Sequence, residues 1–212
     1  MTTQEYLSEN ERRKAKLFPY YNPVTGEGSP IPRFAVRIGE HTTLYIPNVA
    51  KEKMPWLFKP ELCENLPKYC HKHNYDVSDI LLMIEEVRYK CDFEFWAYKH
   101  DVIRDKRSGK DIPYLLNAPQ LVIHKTVHED LFANKPVRID IGKARKFGGS
   151  TYVNALFNWI QSEIKTGWNS IIVTDVEDQA RGIRGMITKF SANYHRNDGS
   201  TLAPFEGSTK NK

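Results

Sequence analysis

Apolar residues recur at helical spacing between Ser78 and His100. Ile80, Leu81, Ile84, Val87, Cys91, Phe95 and Tyr98 share one side of the stretch SDILLMIEEVRYKCDFEFWAYKH. This predicts one helix, with Asp76 or Ser78 as N-cap and acids in its opening turns. RDKRSGKD then reads as a charged turn. A second helix is predicted after Asn117, a good N-cap, with Pro119 in its first turn. Its apolar face is Leu121, Val122, Val127 and Leu131 or Phe132, and NKP ends it. Upstream, PYYNPVTGEGSPIPRF is loop-like in its Pro and Gly content. Two short β-like runs, Phe34–Ile38 and Thr43–Ile46, flank GEH and read as a hairpin.

From Val137 the pattern alternates. VRIDI (Val137–Ile141) reads as a strand and GKARKFGG as a basic, glycine-containing loop. STYVNALFNWIQSEIK is an apolar helix opening on Ser150 and Thr151. TGWNS turns the chain into IIVTDV (Ile171–Val176), a second strand. EDQARGIRGMITKF follows as a helix weakened by Gly182 and Gly185, and a polar tail closes the sequence. Strand, loop, helix, strand, helix predicts an α/β fold: a P-loop NTPase-type parallel sheet with flanking helices, preceded by an irregular N-terminal region over residues 1–75. VRIDI is unusual for a central strand. Arg138 and Asp140 require polar partners on one face, or an edge position.

Composition narrows this only slightly. The 212 residues are 40% hydrophobic and 27% charged, ordinary for a globular chain. A net charge of +5 permits an acidic partner without proving one. The N-terminus lacks a signal-peptide apolar core, and no stretch approaches the roughly 18 apolar residues of a membrane span. The three cysteines are too few for a disulfide scaffold, so a reducing cytoplasm is expected. Cys63, Cys70, His71, His73 and Cys91 invite a zinc reading, but C-x6-C-H-x-H matches no common finger. Buried thiols and surface histidines explain them more simply. Trp96, Trp159 and Trp168 sit among apolar neighbours and are expected in the core. ERRKAK reads as a solvated charge run more readily than as a DNA contact.

The candidate chemistry lies in GKARKFGGST, Gly142–Thr151. A Walker A loop carries its lysine just before the Ser/Thr, where this chain has Gly149. Gly148 and Gly149 let backbone N–H groups converge on phosphate at a helix N-terminus. Ser150 offers a hydroxyl to Mg²⁺, Lys143 a lysine from the other end, and Arg145 a charge for the γ-phosphate. The plain alternative is a basic turn that caps a helix. A Rossmann site using Asp175 lacks its G-x-G-x-x-G, and Asp175 with Asp178 reads instead as a helix cap.

IPYLLNAPQ followed by GKARKFGGSTYVNALFNWIQ resembles the N-terminal ATPase region of tailed-phage terminase large subunits. DFEFWAYKHDVIRDKRSGKDIPYLLNAPQ is most similar to those of crAss-like phages, and the resemblance spans about Cys91 to Phe190. It implies a motor that hydrolyses ATP with Mg²⁺ to drive double-stranded viral DNA into a capsid. The implied partners are that DNA, the portal, the small terminase subunit and the remaining part of the terminase, with no membrane. The implied location is the cytoplasm of the infected bacterial host. By the same resemblance Gln120 reads adenine, with Asn117 and Pro119 shaping its turn. Lys143 is the displaced phosphate lysine and Arg145 the loop arginine. Gly148 and Gly149 line the loop, Ser150 ligates Mg²⁺, and Thr151 contacts phosphate.

The chain departs from the family at Lys146, usually Gln, and in the polar residues of VRIDI. A Walker B strand ending in Asp-Glu and the nuclease carboxylates do not follow the loop. Residues 76–212 are therefore expected to be the N-terminal part of a terminase-type ATPase domain, incomplete at its C-terminus. Such a piece should bind ATP weakly and turn it over poorly alone. The alternative is a non-enzymatic phage DNA-binding or assembly protein, a truncated terminase remnant.

Overall fold

The computed structural model describes residues 2–17, 21–105, 108–142, 147–165, 167–174 and 176–194. They form mostly helix with two small antiparallel hairpins. The expected parallel P-loop sheet is absent from the described residues. Val137–Ile141 and the described part of Ile171–Val176 carry no regular secondary structure and no strand pairing. A five-residue run becomes a strand only where a neighbour takes its backbone hydrogen bonds. The charges of Arg138 and Asp140 hold the first run among exposed and half-buried positions. In the second, Ile171 and Val173 are each 87% exposed.

The chain divides into two compact units, 1–95 with 115–147, and 96–114 with 148–212. In the first, α1 (Thr3–Leu17) carries Arg12 and Arg13 on its surface, both paired with Glu9. The expected hairpin forms: β1 (Arg33–Arg37) pairs antiparallel with β2 (Thr43–Pro47), Ala35 opposite Tyr45. Val36 and Ile46 point inward from it. Short helices α2 (Val49–Lys53), α3 (Pro60–Glu64) and α4 (Leu66–His73) follow. Asn65 caps α4 by accepting the Lys68 N–H, and Asn74 ends it in the left-handed conformation at φ 56°. The core of this unit joins Val36, Ile46, Leu62, Cys70, Ile84 and Cys91.

The helix expected from 78 to 100 is two helices. α5 (Val77–Tyr89) begins at Asp76, whose carboxylate accepts the Ser78 N–H. α6 (Phe93–His100) starts afresh after Asp92, which accepts the Phe95 N–H at 3.4 Å. A buried side chain that caps a new helix ends the old one. α7 (Ala118–Phe132) buries Gln120, Leu121, His124, Val127 and His128. Val122, expected on its apolar face, is exposed.

In the second unit, the charged turn after His100 lies within a hairpin of β3 (Val102–Arg104) and β4 (Asp111–Pro113). α8 (Gly149–Trp159) runs into a π-helical turn, Ile160–Ile164, and α9 (Glu177–Asn193) forms despite its two glycines. Trp96, Trp159, Tyr152 and Phe190 make the core. Trp168, expected there too, is 58% exposed, with the Lys165 ammonium 4.3 Å from its ring centroid. Buried Glu163 accepts the Trp96 indole N–H at 3.1 Å and the Tyr194 hydroxyl. Among the described residues no helix is long and apolar enough to cross a membrane.

Candidate functional site

The N-A-P-Q turn is a capping box. The Asn117 side-chain oxygen Oδ1 accepts the Gln120 N–H at 3.0 Å, and the Gln120 side-chain oxygen accepts the Asn117 N–H at 2.9 Å. Two of the donors that a helix start leaves without intrahelical acceptors are thereby satisfied reciprocally. Pro119 fits the first turn because its nitrogen has no N–H to satisfy. The Asn117 side-chain amide also donates to the Phe147 carbonyl at 3.2 Å. Gln120, to which the resemblance gives adenine, is buried with its side-chain oxygen committed to this cap.

Below this turn, the buried stripe of α7 holds two histidines that sequence reasoning passed over. The His124 ring lies 4.9 Å from that of Phe93, and His128 Nε2 is 3.3 Å from the Cys91 carbonyl. Burial holds His124 well below its ordinary pKa and brings His128 to about 4, so both rings are neutral at pH 7. The available signal was spacing: Gln120, His124 and His128 recur every fourth residue.

α8 opens differently. Gly148 is its N-cap, left-handed at φ 85°, and supplies no side-chain cap. Such a φ is strained for any residue with a Cβ. Gly149 is buried, Ser150 exposed and Thr151 half-buried in the first turn. The helix begins with the Tyr152 N–H donating to the Gly148 carbonyl at 3.0 Å, and the Asn154 amide donates to the Ser150 carbonyl at 2.8 Å. The first-turn N–H groups of any helix lack intrahelical acceptors and carry its partial positive charge. This opening suits an anion, and the Ser150 hydroxyl suits one ligand position of Mg²⁺, whose other ligands come from phosphate and water. Lys143 and Arg145 lie outside the described residues, as does Asp175. Asn117 and Gln120 belong to the first compact unit, and Gly148, Gly149, Ser150 and Thr151 to the second.

The strongest electrostatic feature was also unforeseen. Arg33 grips Asp92 with two hydrogen bonds of 2.8 Å and reaches Glu94 at 3.1 Å. Arg88 donates to Asp92 at 2.9 Å and to the carbonyls of Val24 and Pro23 at 2.6 and 3.0 Å. Ser29 donates to Glu94 at 2.9 Å, and Arg33 also donates to the Tyr45 carbonyl. Burial opposes the charge on Asp92, but Arg33 and Arg88 override it and hold its pKa below the usual range. Burial pushes Glu94 up to about 7, against the pull of Arg33. The network pins the Pro- and Gly-rich loop and the hairpin to the α5–α6 junction. It is enclosed, so its chemistry is structural.

Cys70 and Cys91 lie in the core and Cys63 is half-buried, with all three thiols pushed up by burial. Among the described residues no group of three or more His, Cys, Asp or Glu side chains is arranged to hold a metal. Comparison with known proteins yields no match: neither a family model, nor a curated protein, nor a solved structure.

Proposed function

We propose that the chain binds the phosphates of ATP, with Mg²⁺, at the opening of α8, as part of a phage DNA-packaging motor of the terminase large-subunit type. One observation carries the reading most directly. The left-handed N-cap Gly148, without a Cβ or a capping side chain, precedes an exposed Ser150 in the first turn. This is the backbone that a phosphate-cradling turn needs, in the stretch that also contains Lys143 and Arg145. The Ser150 hydroxyl is then the chain's Mg²⁺ ligand, and Thr151 a further phosphate contact. Lys143 and Arg145 supply compensating charge. Gln120 enters as the residue that shapes the N-A-P-Q turn through its cap. Viral double-stranded DNA, the portal and the small terminase subunit are the partners this role requires.

Isothermal titration of the full chain with Mg²⁺-ATP tests the reading. Lys143→Ala should weaken binding at least about tenfold, the scale of one lost charge-assisted contact. Ser150→Ala should remove the Mg²⁺ dependence. Wild-type failure to bind ATP, or affinity unchanged in Lys143→Ala, sinks the proposal. Salt-sensitive binding of double-stranded DNA with no nucleotide effect would instead favour a non-enzymatic DNA-binding or assembly role.

A further inference from the structure

The first unit has a cavity of about 380 Å³ lined by Trp56, Tyr69, Tyr75 and Met83, with Asp76 and Asp79 also on its wall. Leu62 and Ile80, both buried, supply aliphatic surface inside it. Two features set it apart from an ordinary surface dent. Trp56 is 55% and Tyr75 53% exposed, a large aromatic area left in water. Tyr75 is held by neighbours, since its ring lies 6.1 Å from that of His73 and 6.3 Å from that of Tyr69. The acids have a local cause. Asp76 is the N-cap of α5 and Asp79 stands in its first turn, where a helix favours negative charge. One base, Lys59, also lines the cavity, leaving the lining net negative in a chain whose net charge is +5.

We infer that this cavity binds an aliphatic cation. The hydrocarbon stem lies on Leu62, Ile80 and Met83, and the ammonium or guanidinium head meets the aromatic rings and the carboxylates of Asp76 and Asp79. Aromatic faces attract cations through their quadrupole, and the attraction grows where apolar walls exclude water. Methionine adapts to stems of different shape. A neutral apolar ligand would leave the acids unused, and an anion would meet two carboxylates. The same chemistry is offered by a Lys or Arg side chain of a partner protein and by a free polyamine.

The test titrates the full chain with spermidine and, separately, with the peptide acetyl-Ala-Leu-Lys-Leu-Ala-amide. A third probe is that peptide carrying acetyl-lysine in place of lysine. At least one cationic probe should bind saturably at one site, and the acetylated peptide should not. Spermidine binding alone identifies a free polyamine as the source, and peptide binding alone a protein side chain. Asp76→Asn combined with Asp79→Asn should weaken binding about tenfold, and Trp56→Ala about fivefold. Asparagine preserves the cap at position 76, and Trp56 is exposed, so unfolding midpoints should stay in place. Trp168→Ala, in the other unit, serves as the unaffected control. Failure of both cationic probes, equal binding of the acetylated peptide, or unchanged affinity in the Asn and Ala variants overturns the inference.

Discussion

Replacing Asp92 with alanine should unfold much of the first unit's advantage. The carboxylate is fully buried, and its partners Arg33 and Arg88 expose only 4% and 3% of their side chains. Alanine removes three hydrogen bonds to guanidinium groups and the Phe95 cap at once. More importantly, it leaves two buried cations with one remaining carboxylate, Glu94, which meets Arg33, while Arg88 keeps only the carbonyls of Val24 and Pro23 and the Phe95 ring. Breaking a buried pair from one side costs about 3–5 kcal/mol, because the remaining charge has lost both water and partner. Against a typical total stability of about 5–15 kcal/mol, that is a large fraction. Urea denaturation followed by circular dichroism should therefore show a strongly lowered midpoint. Glu9→Ala is the internal comparison. Glu9 also pairs with two arginines, but on the exposed surface of α1, and its loss should leave the midpoint unmoved. Equal midpoints for Asp92→Ala and Glu9→Ala would refute the reasoning, because burial is the only difference large enough to separate them.

Three further outcomes are expected. Between the ordinary glutamate value and about 7, the folded chain keeps a proton on Glu94 that the unfolded chain has released. Stability should therefore fall as pH rises through that window, and Glu94→Gln should flatten the slope in urea midpoints measured across it. Asn117→Ala should cost about 1–2 kcal/mol by chemical denaturation, while Asn117→Ser, which keeps a capping oxygen, should lose less. A matching loss in Asn117→Ser would show that the cap is not what the Asn117 side chain supplies. Gly148→Ala should lower the thermal midpoint by the equivalent of about 1–2 kcal/mol, the penalty of a Cβ in the left-handed region, and an unchanged midpoint would contradict that geometry.

What the sequence made legible was local. The hairpin at Arg33–Pro47 follows from β-like runs around GEH, and the start of α7 from Asn117 and Pro119. The opening of α8 near Ser150 was readable from the paired glycines that precede it. What escaped depended on partners far along the chain. Nothing in the periodicity of Ser78–His100 marks Asp92 as a break, because its cause includes Arg33, 59 residues away. The strands read at Val137–Ile141 and Ile171–Val176 failed for the same reason. A short apolar run has strand composition whether or not a neighbour exists, and the neighbour decides. Trp168 misled through its apolar sequence neighbours, which themselves lie exposed. In the candidate site, Gln120 was legible as a residue that matters but not as a cap. N-x-x-Q carries that signature, and the resemblance drew attention elsewhere.

The exposed run at Ile171–Val173 has a consequence for handling the protein. Three exposed β-branched residues, unpaired by any strand among the described residues, form an adhesive stretch. Such a stretch favours strand pairing between molecules, and no charged residue stands within Ser170–Thr174 to interrupt it. Concentrated solutions should therefore lose material to aggregation before the fold itself fails. A single lysine at Val173 would act as a gatekeeper, prolonging shelf life while leaving the melting temperature where it was.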